Sequence, residues 1–252
     1  MKKLITSVLT VALVFAAGCS SSSSSNETEG ETTTNFEKSE GTMTYAEFDA
    51  AAIGDEVVVE AFVQAKQSWW QNSAVVYAQD NDGGYLFYNL ACTEEEYAKL
   101  VEGQLIKVTG YKAEWPEVDG EIEISDGTFE LLDGNWVAPV TDVTSALGTD
   151  NLKSYINQKV SFKGLTIEAK EDGSAVVYSY DNSGTQGDDL YFDASIDGKT
   201  YTFTVESYLT DSSTDVYKAV EALNVGDQVD LEGFLYWYEG MNPHITSIVT
   251  LN

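Results

Sequence analysis

Apolar and polar residues alternate in a series of short runs, the pattern of strands buried on one face. Val57, Val59, Ala61 and Val63 share one face of a strand predicted over Val57–Ala65. A second strand is predicted over Ala74–Gln79 and a third over Tyr85–Leu90. Between them Asp80-Asn-Asp-Gly-Gly84 reads as a hairpin turn, because glycine accepts positive φ. Thr93-Glu-Glu-Glu96 then has the form of a capping box, in which the threonine hydroxyl and the third glutamate each close a free N–H. Tyr97, Leu100 and Val101 follow at helical spacing, and strands over Leu105–Tyr111 and Glu121–Ser125 complete the set.

The same order returns further along the chain. Strands are predicted over Val160–Ile167, Ala175–Tyr180 and Asp189–Ala194, with a turn at Asp181-Asn-Ser-Gly184 and an added hairpin reaching Val205. A helix near Asp215–Leu223 precedes strands over Gln228–Tyr236 and Thr246–Leu251. Ser73-Ala-Val-Val-Tyr77 recurs letter for letter as Ser174–Tyr178, 101 positions later. Ile53–Val57 matches Ile156–Val160 in shape, and Gly103–Tyr111 matches Gly226–Phe234 with an offset of 123. Self-similarity on this scale means one module used twice. The growing offset gives the second copy 22 further residues, expected around Lys199–Asp211 as a lengthened hairpin.

Three strands, a short helix and two strands, repeated, resemble the OB-fold. The fold class expected is therefore all-β with short helices, as two tandem five-stranded OB-fold-like β-barrels over residues 43–134 and 150–252, joined by a linker at 135–149. A pair of immunoglobulin-like sandwiches fits less well, since a helix would not interrupt their strands.

The chain opens with Lys2 and Lys3 and an apolar run from Leu4 to Ala17, shorter than the roughly 20 residues that span a bilayer. Ala16-Ala17-Gly18-Cys19 resembles the lipobox of bacterial lipoproteins, with Ala16 standing where that family usually has a larger aliphatic residue. The resemblance implies that residues 1–18 are a lipoprotein signal peptide, cleaved before Cys19, whose sulfur takes the lipid. The expected location is extracytoplasmic, anchored to the bacterial cell membrane. Residues 19–42, rich in Ser, Thr and Glu, bury too little to order and read as a flexible tether.

Charge narrows the chemistry. The formal net charge is −29, every one of the 13 cationic residues is lysine, and there is no arginine. Affinity for nucleic acid comes largely from neutralised phosphates, so the expectation is no nucleic-acid partner. One histidine, His244, allows no zinc triad of histidines, and Cys92 reads as a buried structural thiol. A calcium loop starting at Asp80 fails at Gly84 and Ala91. No catalytic residue, metal or cofactor is assigned, and the chain reads as non-enzymatic.

The resemblance to OB-folds places ligands on the face of strands 2 and 3, between the loop joining strands 1 and 2 and the loop joining strands 4 and 5. In the first module those loops carry Trp69, Trp70 and Trp115, with Glu114 and Glu117 beside the last. In the second, Tyr236, Trp237 and Tyr238 occupy the corresponding loop. Each aromatic either contacts a ligand or folds over its own barrel end. The functional expectation is a binding module for cell-surface glycan or cell-wall polymer, with an envelope protein partner as the alternative and the lipid anchor as the link to the membrane.

Overall fold

The computed structural model describes residues 36–179 and 187–251. The signal peptide, Cys19 and the expected turn at Asp181–Gly184 lie outside the described residues. The first barrel comprises α1 (Tyr45–Ala50), β1 (Glu56–Lys66), β2 (Ser73–Gln79), β3 (Gly84–Ala91), α2 (Glu94–Tyr97), β4 (Gln104–Trp115) and β5 (Glu121–Asn135). Its strands run β1-β2-β3-β5-β4 and close where β4 returns to β1, Val57 opposite Gly110. The face formed by Val57, Val59, Ala61 and Val63 fills the interior with Phe87, Leu90, Ile106, Val108 and Ile124. The capping box is present at α2: the Thr93 hydroxyl accepts from the Glu96 N–H, and the Glu96 carboxylate accepts from the Thr93 N–H.

The second barrel contains β6 (Thr141–Asp142), two short 3-10 turns (Thr144–Ala146 and Asp150–Tyr155), β7 (Lys159–Glu168), β8 (Val176–Tyr178), β9 (Leu190–Ile196), β10 (Lys199–Val205), α3 (Asp215–Glu221), β11 (Gln228–Phe234) and β12 (His244–Leu251). Its ring runs β7-β11-β12-β10-β9 and closes by β9 pairing with β7, Ala194 opposite Ile167. The core gathers Phe162, Phe192, Phe203, Leu231 and Ile245.

Pairing corrects the repeat as read from letters. β9 is antiparallel to β7, and β10 is parallel to β12, as β2 is to β1 and β3 to β5. β9 and β10 therefore stand where β2 and β3 stand in the first barrel. The repeated Val176–Tyr178 is a half-buried three-residue strand on the edge, beside β9 and outside the ring. Most of the further residues of the second copy lie between β7 and β9, and the rest in the segment between β10 and α3, which overlaps the expected Lys199–Asp211. A strand's place is set by which partners bury its inner face, and β9 offers Leu190, Phe192 and Ala194 to the core, whereas the residues of β8 stay half-exposed.

Two boundaries also move. β5 continues well past Ser125 to Asn135, and in the expected linker β6 pairs with β7 while Val143 and Leu147 enter the second core. At the other end, the last part of the expected tether lies on the first barrel. The Phe36 ring meets Phe62 edge-on at 5.1 Å, and Lys38 Nζ sits 2.7 Å from the buried Asp80 carboxylate.

Candidate functional site

The outer face of β2, β3 and β5 is where the two barrels meet. Opposed residues share a face, so Tyr77, Leu86 and Glu123 form one row across these strands, and Glu121 stands opposite Trp115 of β4. The second barrel covers one end of this face. Tyr77 stacks on Phe234, its hydroxyl lies 2.9 Å from His244 Nδ1, and Leu86 packs in the same cluster. The Glu121 carboxylate is fully buried, accepting from the Trp237 N–H at 2.9 Å and from Asn157 Nδ2 at 2.5 Å. At the far margin the Ser68 N–H donates to the Tyr208 carbonyl and Gln67 Nε2 to Glu206 Oε2. The barrels thus form a continuous seam.

What the second barrel leaves open is a groove of two clefts sharing Tyr88. One, of about 370 Å³, is lined by Tyr88, Trp115, Glu123 and Tyr236. The other, of about 330 Å³, is lined by Trp70, Val75, Tyr88, Asn89, Tyr208 and their neighbours. Trp115 is 61% exposed, Trp70 57% and Tyr88 43%. Exposed rings facing a cleft carry apolar area that a bound ring would remove from water. No lysine or arginine lines either cleft among the described residues.

The acids here are unlike the solvated acids that dominate the surface. Burial pushes the Glu121 carboxyl up to about 8, against the opposing pull of its N–H donors. Burial and the charge of Asp126 push Glu123 up to about 7, and burial with Asp189 does the same to Glu206. His244 goes the other way, to about 3, because its surroundings exclude water. It is a neutral imidazole stacked on Tyr236 at 4.5 Å.

Of the residues singled out from sequence, Trp70, Trp115 and Tyr236 line the groove. Trp69 does not: it packs on the first core and its Nε1 donates to the Cys92 carbonyl at 3.2 Å. Glu114 is occupied in its own hairpin, accepting from the Gly120 N–H at 3.1 Å. Trp237 belongs to the seam, with Nε1 donating to Asp119 Oδ1 at 3.1 Å and Lys153 Nζ 5.2 Å from the ring centre. Tyr238 is exposed, and lines neither cleft. Tyr88, Glu123 and Tyr208 complete the groove and were not foreseen. An outward-facing aromatic at position 88, two residues after Leu86 on the same face, is the one signal that pointed to it.

No protein-family model and no curated protein matches the chain. Several solved structures are similar. A murine DNA-binding protein bound to double-stranded DNA is 11% identical, with 77% of this chain and 96% of the other covered and a TM-score of 0.37. A replication protein A heterotrimer bound to single-stranded DNA is 10% identical, covering 81% of this chain and 51% of the other, with a TM-score of 0.34. The single-stranded DNA binding protein of Thermus aquaticus is 16% identical over 80% of this chain and 95% of its own, with a TM-score of 0.27. Likeness at this level does not say what this chain binds. The expectations of no nucleic-acid partner and of a glycan, cell-wall polymer or envelope-protein ligand are withdrawn against neighbours that are DNA-binding proteins. The exclusion rested on phosphate neutralisation and on the lack of arginine, and bases can also be held by stacking on aromatic side chains.

Proposed function

We propose that the chain is a non-enzymatic binding protein that takes nucleosides or short single-stranded nucleic acid base-first on the groove between its barrels. The observation that carries this is the convergence of Tyr88, Trp115 and Tyr236 from three separate elements on one cleft of about 370 Å³, with the Glu123 carboxyl among them. A flat heteroaromatic ring buries area against several indole or phenol faces and meets a hydrogen-bonding group at its edge. Base–aromatic stacking contributes about 1–3 kcal/mol per base. With a net charge of −29 and no cation lining the groove among the described residues, phosphates gain nothing here, so recognition falls on the bases.

The location we propose is extracytoplasmic, with the barrels held at the bacterial membrane by lipid on Cys19. Ala16-Ala17-Gly18-Cys19 and the apolar run before it support this reading. The test of the binding function is tryptophan fluorescence of the full chain in mild detergent, titrated with nucleosides and with oligodeoxynucleotides of two to six residues. Saturable quenching that weakens about tenfold or more in a folded Trp115→Ala variant is expected. Absence of quenching by any base-bearing ligand overturns it.

A further inference from the structure

Within the larger cleft the surroundings of Glu123 are unusual. The side chain stands on β5, opposite Leu86 of β3 and Ala113 of β4, and is only 8% exposed. No hydrogen bond to its carboxyl from protein is found among the described residues, whereas the neighbouring Glu121 has two donors. The residue is nine-tenths removed from water, and its carboxyl opens only onto the cavity, so its hydrogen-bond partner is whatever occupies that cavity. The walls of that cavity are the rings of Tyr88, Trp115 and Tyr236.

We propose that Glu123 reads the hydrogen-bonding edge of a base stacked in this cleft, and that its protonation state selects which base is accepted. This rests on the base-stacking function proposed above. An ionised carboxylate only accepts, so it fits an edge offering two adjacent donors, which guanine presents at N1–H and its exocyclic amine. A neutral carboxylic acid donates once and accepts once, so it fits an adjacent donor and acceptor, which adenine presents at its amine and N1, and cytosine at its amine and N3. Reading a base by its pairing edge while its faces are held between side chains is an established way for a protein to recognise an unpaired nucleotide.

Burial and the nearby Asp126 hold this carboxyl at about 7, so both forms are accessible near neutrality. One group near it titrates in the same range, and Glu123→Gln tells the two apart. Glu121, on the same strand, is held higher, at about 8, by burial. Tyr236 is held above the ordinary phenol range by burial and by the charges of Glu121 and Glu123, and stays neutral. The remaining neighbours are Tyr88 on β3, Asp126 on β5, and Ala113 and Trp115 on β4, and among the described residues no lysine lines the cleft.

The test compares guanosine and adenosine affinities of the full chain, in mild detergent, between pH 5.5 and 8.5, a range in which neither base changes its own protonation. The ratio of guanosine to adenosine affinity is expected to rise about tenfold or more across the range, the discrimination a bidentate base contact supplies. Glu123→Gln, an amide with one donor side and one acceptor side, is expected to bind adenosine and hold the ratio at its acid value throughout. A flat ratio in the native chain, or a Glu123→Gln profile that follows it, overturns the assignment while leaving base stacking intact. Failure of both nucleosides to bind at any pH removes the stacking function and this inference together.

Discussion

Tyr77 of β2 lies flat on Phe234 of β11, with ring centroids 4.5 Å apart and planes 14° from parallel. Its side chain points out of the first barrel, yet it is fully buried. Part of what would be an open sheet face is therefore core shared by two barrels. Removing the ring by Tyr77→Ala is expected to cost about 3–5 kcal/mol, the range for deleting a buried aromatic. Tyr77→Phe, which keeps the stack and leaves His244 Nδ1 without its hydroxyl partner, should cost about 1–3 kcal/mol. Urea unfolding followed by tryptophan fluorescence checks both. In Tyr77→Ala the single transition of the native chain should separate into two as the barrels uncouple.

A second contact fixes how closely the barrels approach. A Cβ on Gly84, at the start of β3, would stand 2.4 Å from the Asn157 carbonyl carbon, and backbone cannot yield as a flexible side chain can. Gly84→Ala is expected to destabilise by about 1–3 kcal/mol through overpacking of the seam. Thermal unfolding measures the loss. Because Gly84 does not line the groove, nucleoside affinity measured well below the midpoint should change less than it does in Trp115→Ala.

The seam also sets how stability follows pH. Glu121, Glu123 and Glu206 are held at about 8, 7 and 7, above the ordinary carboxylate value, so the folded state keeps protons that the unfolded chain releases. Their contribution is fully present below about pH 4.5 and is lost as pH rises to about 8. His244, held at about 3, contributes above its ordinary 6.5 and loses that contribution as pH falls. Three groups outweigh one between these values, so stability is expected to peak near pH 5 and fall toward pH 8. Glu121→Gln should cost about 1 kcal/mol at pH 5, where an amide oxygen replaces only one of two accepting atoms. It should also flatten the alkaline fall by a few kcal/mol. A urea series at pH 5, 6.5 and 8 decides this, and a native chain most stable at pH 8 would refute it.

The strand order and interior of the first barrel were legible because inward alternation in runs such as Val57–Val63 and the Thr93 cap are local signals. What misled was the Ser-Ala-Val-Val-Tyr repeat, since identical letters do not ensure identical partners: Tyr77 is buried against Phe234, while Tyr178 bonds Glu221 on the exposed side. The site was half legible for the same reason. Trp70 and Trp115 announce themselves at loop ends, but an acid at position 123 becomes exceptional only when the second barrel removes its water. Trp69 and Trp237 stayed open between ligand contact and packing over the barrel end, because exposure cannot be seen in a sequence. Both had partners waiting, at the Cys92 carbonyl and the Asp119 carboxylate.

Salt dependence separates base recognition from ordinary nucleic-acid affinity. A protein that neutralises phosphates releases counterions, and its affinity falls steeply with added salt, by roughly 0.9 in log K per log salt for each contact on duplex DNA and about 0.7 on single strands. Here the groove carries Trp70, Tyr88, Trp115 and Tyr236 with no lysine among the described residues, in a chain of net charge −29. Added salt releases little and screens the repulsion between acidic protein and strand. Affinity for a short oligodeoxynucleotide is therefore expected to hold level or rise between 50 and about 500 mM salt, where the Debye length shortens to a few ångströms. Uncharged nucleosides should show no salt dependence of this kind. A fluorescence titration over that range gives the slope directly. A steep fall in affinity with salt would mean that phosphates are bound after all, at lysines away from the groove, and that the aromatic clefts are not where the strand is held.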